Sequence, residues 1–119
     1  MPSIAREITR FSKKEIDYLF QHARRVLKNK FCTILYAPRQ SEFGRILIVT
    51  SKKVGNAPER NKIRRRFKSI FYEEKLFESS YDYVIIVYKS ALTLSFSELK
   101  KLMLDVYEQT NDVKNVTSK

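Results

Sequence analysis

The segment spanning residues 51–69 combines a turn, a helix start and the strongest concentration of charge in the chain. Eight of its nineteen residues are basic and one, Glu59, is acidic, so it carries +7 of a total formal charge of +11. Gly55 interrupts the preceding strand-like pattern. Asn56 is a strong N-cap, Pro58 is tolerated in a first turn, and Glu59 suits the positive end of a helix dipole. The pattern predicts a helix that begins after Gly55 and holds the charge on an ordered surface.

This helix is predicted over about 56–78, and it is amphipathic. Its apolar stripe, at helical spacing, consists of Ile63, Phe67, Ile70, Phe71 and Phe77. Beside it runs a polar stripe of Arg60, Asn61, Arg64, Arg65 and Lys68, whereas Lys62 and Arg66 fall on the other flank. Six basic groups without an acid repel each other, and basic first turns oppose the helix dipole. A phosphate backbone relieves both costs, so we predict a polyanion-binding helix.

The composition favours a nucleic acid as that polyanion. A charge of +11 on 14.2 kDa, with a pI near 9.9, indicates an anionic partner, and an anionic membrane surface is the second candidate. No apolar run reaches the roughly 18 residues of a membrane span, and the N-terminus lacks the apolar core of a signal peptide. We therefore expect a cytoplasmic protein. Because a strand precedes the basic helix, a helix-turn-helix is disfavoured and RNA is favoured over duplex DNA.

The other elements follow from capping and periodicity. Capping boxes start helices at Ser12 and Ser95, and the centre of the strand around Val84 predicts burial on both faces. The predicted elements are helices over 12–28 and 95–109 and strands over 31–37, 45–51 and 81–88. The short connection 38–44 favours an antiparallel pair of the first two strands. We expect one domain over 1–119, an α+β sandwich with an ordered core over about 11–109 and a polar, frayed tail over 110–119.

The residues that carry protein-based chemistry are sparse. The only histidine is His22, and Asp17, Asp82 and Asp105 fall on three separate predicted elements, which disfavours a two-metal site. Cys32 lies in an apolar run without an activating partner and is expected to be a small buried residue. There is no zinc pattern and no phosphate loop. We therefore predict no catalytic residue, no metal site and no small-molecule substrate for the protein itself.

The turn and the basic helix together carry a family resemblance. Ser51-Lys52-Lys53-Val54-Gly55-Asn56-Ala57 followed by Arg60-Asn61-Lys62-Ile63-Arg64-Arg65 closely resembles the signature of the bacterial ribonuclease P protein subunit. That signature is a Ser-Lys-Lys turn followed by an Arg-Asn-Arg-x-Lys-Arg-x-x-Arg helix. Lys62, Arg64 and Lys68 exchange lysine for arginine or the reverse, which keeps the charge but alters bidentate geometry at 62 and 68. The resemblance covers roughly residues 11–107.

The resemblance implies a fold and a mechanism. The implied fold is a two-layer sandwich in the order α-β-β-β-α-β-α, with a left-handed β-α-β crossover shared with a ribosomal protein domain. In this family a large RNA is the catalyst, Mg²⁺ acts in the RNA active site, and the 5′ leader of precursor transfer RNA is removed. The residues implied to bind that RNA are Lys52, Lys53, Asn56, Arg60, Asn61, Lys62, Arg64, Arg65 and Lys68. A leader cleft between the first helix and the sheet is implied to involve Phe20, Tyr36 and Ile16, where the family often has Phe. The alternative is a non-catalytic module, such as a ribosomal protein, that binds structured RNA.

Overall fold

The computed structural model describes residues 3–111, which form an α+β sandwich of four helices and one four-stranded sheet. The helices are α1 (Ile4–Glu7), α2 (Lys13–His22), α3 (Ala57–Glu73) and α4 (Phe96–Thr110). The strands are β1 (Arg24–Lys28), β2 (Cys32–Pro38), β3 (Ile46–Val49) and β4 (Tyr81–Val87). Three short 3₁₀ turns, Lys52–Val54, Leu76–Glu78 and Lys89–Thr93, complete the described part of the chain. No helix within residues 3–111 is both long and apolar enough to cross a bilayer.

The sheet has the strand order β1-β2-β4-β3. Both β1 and β4 pair with β2 in antiparallel orientation, whereas β3 pairs with β4 in parallel. The parallel pair is joined through α3, as in the β-α-β unit that the resemblance implies; the left-handed sense of this unit stays a prediction. The central position of β4 explains its burial on both faces, with Val84 and Ile85 fully enclosed.

The two faces of the sheet are covered unequally. α3 and α4 cover one face and form the main core with alternate strand residues such as Ile34, Ile46 and Ile85. On the other face α2 forms a small cluster in which Leu19 packs against Ala37 and Val84. Since α2 covers only the end of this face near Ala37 and Val84, the rest of the face stays partly open to solvent.

Predictions that depend on local signals are confirmed. Ser12, Asn56 and Ser95 cap α2, α3 and α4, and in each case a glutamate three residues later completes the capping box. β4 and α4 start and end within a residue of the predicted bounds. The predicted apolar stripe of the basic helix is buried over Ile63, Phe67, Ile70 and Phe71.

The first predicted helix is too long. α2 ends at His22, and residues 24–28, predicted as its last turns, form the edge strand β1. The register of β1 against β2 shifts between Arg25 and Leu27, which marks a β-bulge. Because the bulge places Val26 and Leu27 together on the core side, the apolar spacing of the strand imitates a helix. The family resemblance implies three strands before the basic helix, and the residue patterns located only two of them; β1 is the strand that was missing.

The predicted antiparallel pairing of the strands over 31–37 and 45–51, which correspond to β2 and β3, is also wrong. β4 lies between β2 and β3, so the two strands that the 38–44 connection joins are not neighbours. Adjacent strands lie roughly 4.8 Å apart, and a connection of this length easily crosses two such spacings. The apolar centre of β4 is buried on both faces, and its position between β2 and β3 suits that burial.

The boundaries of α3 and of the core differ from the prediction. α3 ends at Glu73, because Lys75 adopts a left-handed backbone with φ 55° and ψ 35°, and a 3₁₀ turn then buries Leu76. At the N-terminus Ile8 is fully buried and its carbonyl accepts from Ile46 N at 2.7 Å, so packing starts before residue 11. Thr110 belongs to α4, and the predicted fraying of 112–119 lies outside the described residues.

Gly44 tests the packing of the loop that precedes β3. A Cβ at this position would lie 2.5 Å from Tyr81 O, a backbone atom that cannot move alone, so we expect Gly44→Ala to cost about 1–3 kcal/mol in denaturant unfolding. At Gly55 a Cβ would meet Glu59 Oε1 at the same distance; this side-chain atom can move away with loss of its hydrogen bond from Asn56 N, so Gly55→Ala should cost less. Equal losses for the two variants would contradict the close backbone approach at Gly44.

Candidate nucleic-acid interface

The turn before α3 fixes the start of the basic helix. Asn56 Oδ1 accepts from Glu59 N at 2.9 Å, and Glu59 Oε1 accepts from Asn56 N at 2.9 Å. Arg60 Nη1 donates to Gly55 O at 2.7 Å and ties the first turn to the glycine. The one acid of the segment is thus occupied by capping. The Asn56 carboxamide keeps its NH₂ group, and Arg60 keeps its other donors, for an external partner.

One row of α3 lies along the edge strand β3. Arg64, Arg65 and Lys68 line a groove of about 260 Å³ together with Thr9 and with 46–48 of β3. Within the row, Arg64 Nη1 donates to Asn61 Oδ1 at 3.0 Å, which orients both side chains. The row continues toward the exposed Lys52 and Lys53 in the turn before the helix. We call Lys52, Lys53, Asn61, Arg64, Arg65 and Lys68 the basic surface.

Lys62 does not belong to the basic surface. It lines a different depression of about 130 Å³ with Glu59, Ile63, Arg66 and Leu92. The predicted set therefore divides between two flanks of α3, as the helical spacing indicated for Lys62 and Arg66.

The part of the chain that the structure describes does not neutralise the basic surface. Five ion pairs within 4 Å occur among residues 3–111, and none of them includes a basic residue of α3 or of the turn before it. Several like charges on adjacent turns of one helix are mutually repulsive. The arrangement therefore holds an uncompensated positive potential that attracts a polyanion.

The uncovered part of the second sheet face adjoins the basic surface. We call its half-buried or exposed apolar residues, Leu35, Leu47, Val49 and Ile86, the open sheet face. Leu47 also lines the groove of Arg64, Arg65 and Lys68, so the two surfaces are continuous. A polymer can lie across the apolar floor while its charges meet the basic row.

One flank of α2 borders the open sheet face. Leu19 packs on the sheet and Glu15 points to Arg45 at the start of β3, so helical spacing places Ile16 and Phe20 on the flank of α2 opposite Glu15. Phe20 is 46% exposed, which is unusual for phenylalanine, and Ile16 is half-buried. Two of the three residues predicted for the leader cleft thus lie on one flank of α2.

Tyr36 is not brought to that border. In β2 its side chain alternates with those of Leu35 and Ala37 and packs against the main core on the opposite face. Its ring meets Tyr81 edge to face at 5.0 Å between centroids. In β2 it is Leu35 that shares the α2 face with Ala37. The alternation of side chains along a strand is the signal that separates Leu35 and Ala37 from Tyr36.

This chain is similar in sequence and in fold to proteins of one known family. A family model of ribonuclease P matches residues 7–111. The ribonuclease P protein component of Streptococcus agalactiae is 32% identical over 95 residues, covering 80% of this chain and 86% of that protein. That of Bacillus velezensis is 34% identical over 112 residues, covering 90% and 94%. The solved RNase P protein structures of Staphylococcus aureus and Thermotoga maritima superpose with TM-scores of 0.72 and 0.71 at 20% and 21% identity. Each covers 85% of this chain, with 93% and 96% of those chains matched.

The chain belongs to the ribonuclease P protein family. It is a protein subunit of the ribonuclease P endonuclease, in which the RNA performs the catalysis. Family membership supports this reading over the alternative of a ribosomal-type RNA-binding protein.

The side chains of this ribonuclease P protein offer little for catalysis of their own. No group of three or more His, Cys, Asp or Glu residues that could hold a metal ion occurs within residues 3–111. Cys32 is buried as expected, and burial raises the pKa of its thiol to about 11, so it is uncharged at neutral pH. His22 stacks on Tyr18 with 4.0 Å between centroids on the exposed side of α2.

A buried arginine, missed at the sequence level, holds α2 against the sheet. Arg45 is 6% exposed, and its guanidinium donates to both carboxylate oxygens of Glu15 at 3.1 Å. It also donates to Arg10 O at 2.7 Å and lies over the ring of Phe11 at 4.4 Å. Its backbone N donates to Asp82 Oδ1 at 2.8 Å. No local pattern indicates these contacts, because they join residues 30 to 37 positions apart.

The two carboxyl groups beside Arg45 shift in opposite directions. Hydrogen bonds from Arg45 and from the Ser12 backbone lower the pKa of Glu15. Burial raises the pKa of Asp82, and the contacts from Arg45 oppose this only in part. At neutral pH the Glu15 pair stabilises the docking of α2, and this contribution is lost as the pH falls through the lowered pKa of Glu15.

Glu15→Gln tests this docking, because the one glutamine oxygen can keep the capping box, whereas the charge and the second acceptor for Arg45 are lost. We expect it to lower the free energy of unfolding by about 1–3 kcal/mol at pH 7. The difference from wild type should shrink below pH ~4, where an ordinary glutamate is protonated in the unfolded state. Glu98→Gln, in the equivalent box of α4, is the matched control and should cost much less. The same cost for both variants would show that Arg45 adds nothing.

Proposed function

We propose that the basic surface binds the RNA subunit of ribonuclease P and that the protein assists removal of the 5′ leader from precursor transfer RNA. The observation that carries the proposal is a row of cations aligned on a capped helix along the edge of the sheet, without ion-pair partners among residues 3–111. Arginine forks grip phosphate oxygens bidentately, and Asn61 and the NH₂ group of Asn56 can donate to phosphate or sugar. Arg60 then acts both as a brace for the turn and as a contact.

The leader strand is proposed to cross the open sheet face. Phe20 offers an aromatic face for stacking, Ile16 and Leu35 offer apolar contact, and the adjoining basic surface meets phosphates. Tyr36 is left out of this cleft because its ring belongs to the opposite face. The geometry thus keeps two residues of the implied cleft and substitutes Leu35 for the third.

The chemistry of cleavage is proposed to reside in the RNA. Mg²⁺ ions held by the RNA would activate water and stabilise the leaving oxygen, as in two-metal phosphoryl chemistry. The protein residues bind, orient and neutralise, and none of them is proposed to transfer a proton. The proposed partners are the ribonuclease P RNA and precursor transfer RNA, which are cytoplasmic RNAs.

Reconstitution tests the function directly. A bacterial ribonuclease P RNA with labelled precursor at low Mg²⁺ should cleave faster when this protein is added, and the protein alone should not cleave. Lys53→Ala/Arg65→Ala should weaken RNA binding and flatten the dependence of log affinity on log salt by about 1.4–1.8, for two lost phosphate contacts.

The matched control is Lys100→Ala/Lys101→Ala, which removes the same charge from α4. It should leave the rate and the salt slope unchanged. If wild-type protein gives no acceleration while still binding structured RNA, the protein is a non-catalytic RNA-binding module and the proposal is wrong.

Phe20→Ala tests the leader cleft. Stacking on an aromatic side chain contributes about 1–3 kcal/mol per base, so affinity for a leader-bearing precursor should fall roughly 5- to 150-fold, whereas affinity for mature transfer RNA should not change. Tyr18→Ala removes an exposed aromatic from the other side of the same helix and is the control. Equal losses for precursor and mature transfer RNA would exclude stacking of the leader on Phe20.

A further inference from the structure

The edge strand β1 carries a second row of positive charge. Residues 18–41 contain five basic residues and no acidic one, and Arg24, Arg25, Lys28 and Lys30 fall in or beside β1. All four are exposed, and none forms an ion pair within 4 Å in the described part of the chain. The sheet thus has an uncompensated cationic border at β1 as well as the one that α3 provides beside β3.

The β-bulge decides which of these charges border the open sheet face. In a regular strand, residues three apart point to opposite faces. Here Arg25 lies opposite Leu35 and Lys28 lies opposite Thr33, because the register shifts between Arg25 and Leu27. Residues directly opposite each other in a pair share a face, so Arg25 and Lys28 stand side by side on the face of Leu35.

The row of Arg25 and Lys28 runs along the edge of the open sheet face, away from α2. Beyond Leu35 the floor reaches Thr33, whose hydroxyl hydrogen-bonds the Tyr88 hydroxyl at 2.5 Å. Lys28 stands beside Thr33 at this far end. The open sheet face is therefore bordered by Arg25 and Lys28 on one edge and by Arg64, Arg65 and Lys68 on the other. At one end of this face lies α2, which carries the exposed Phe20.

We propose that Arg25 and Lys28 bind the phosphates of a single RNA strand that crosses the open sheet face. The open sheet face lies between two cationic edges, which suits a single RNA strand: its bases can contact the apolar residues while its phosphates contact the charged side chains at the edge. This inference rests on the proposed function and extends it, because it gives the leader a phosphate-binding row separate from the basic surface that binds the RNA subunit.

A competing role for these charges is protection of the sheet edge. Exposed lysine and arginine on an edge strand oppose pairing with another chain. That role requires only charge on β1 and is indifferent to the face on which each side chain lies. Arg24, opposite Tyr36 on the other face, and Lys30, over the ring of Phe31 at 5.2 Å, therefore provide a matched pair with the same charge.

The experiment compares Arg25→Ala/Lys28→Ala with Arg24→Ala/Lys30→Ala in the reconstituted holoenzyme. Dissociation constants are measured at several salt concentrations for precursor with a long leader and for mature transfer RNA. For two phosphate contacts to a single strand, Arg25→Ala/Lys28→Ala should weaken precursor binding on the order of tenfold at 0.1 M salt. It should also flatten the salt slope by about 1.4. Mature transfer RNA should bind as before, and Arg25→Lys/Lys28→Arg should restore most of the affinity for precursor.

The remaining outcomes separate this inference from the function beneath it. Equal effects of the two double variants, or none from either, would assign the β1 charges to edge protection and overturn the inference alone. A wild-type holoenzyme without any preference for leader-bearing RNA would overturn the proposed leader cleft and the inference together. Thermal unfolding and the oligomeric state of each variant show whether a loss reflects misfolding or edge-to-edge association.

Discussion

Arg45 is the interaction on which the arrangement of the second sheet face depends. α2 contributes only one fully buried apolar side chain, Leu19, to a small cluster, which is little area to hold a helix in one position. The guanidinium joins the first turn of α2 through Glu15 and the start of β3 itself, while the Arg45 backbone joins β4 through Asp82. Removing the Glu15 charge leaves the buried guanidinium less well compensated, at a cost of about 1–3 kcal/mol, so this contact favours one position of α2. The border that Phe20 gives to the open sheet face depends on that position.

The chain uses its cations in two contrasting ways. Arg45 is enclosed, and a carboxylate, a carbonyl and an aromatic ring surround it. The basic residues of α3 and β1 lie at the surface without acidic partners within the described residues. An ion pair at the surface contributes little to stability, so leaving these cations unpaired costs the fold little. An RNA backbone that displaces counterions from them gains a free energy that a neutralised surface could not supply.

What the sequence predicted was local, and what it missed was not. The three capping boxes each lie within four consecutive residues, and the buried stripe of α3 repeats within one helix, so both could be recognised from the chain alone. The bulge in β1 imitates helical spacing, and a longer helix was predicted there. The placement of β4 between β2 and β3 and the Arg45 contacts depend on residues brought together from distant parts of the chain. The side chain of Tyr36 packs on the face opposite Leu35 for a related reason, since a family resemblance supplies a residue type and only the strand alternation supplies its face.

The composition of the cleft follows from that alternation and decides how a strand can be recognised there. With Tyr36 in the core and isoleucine at position 16, the near end of the open sheet face offers one exposed aromatic ring, Phe20, and otherwise aliphatic side chains. Aliphatic floors exclude water and accept any base, but they do not provide the stacking energy of an aromatic platform. If the leader binds in this proposed cleft, we expect more of its affinity to come from phosphate contacts, which act on every sequence alike. A cleft bordered by cations on both edges is consistent with this division, in which charge holds the strand and a single ring contributes the stacking.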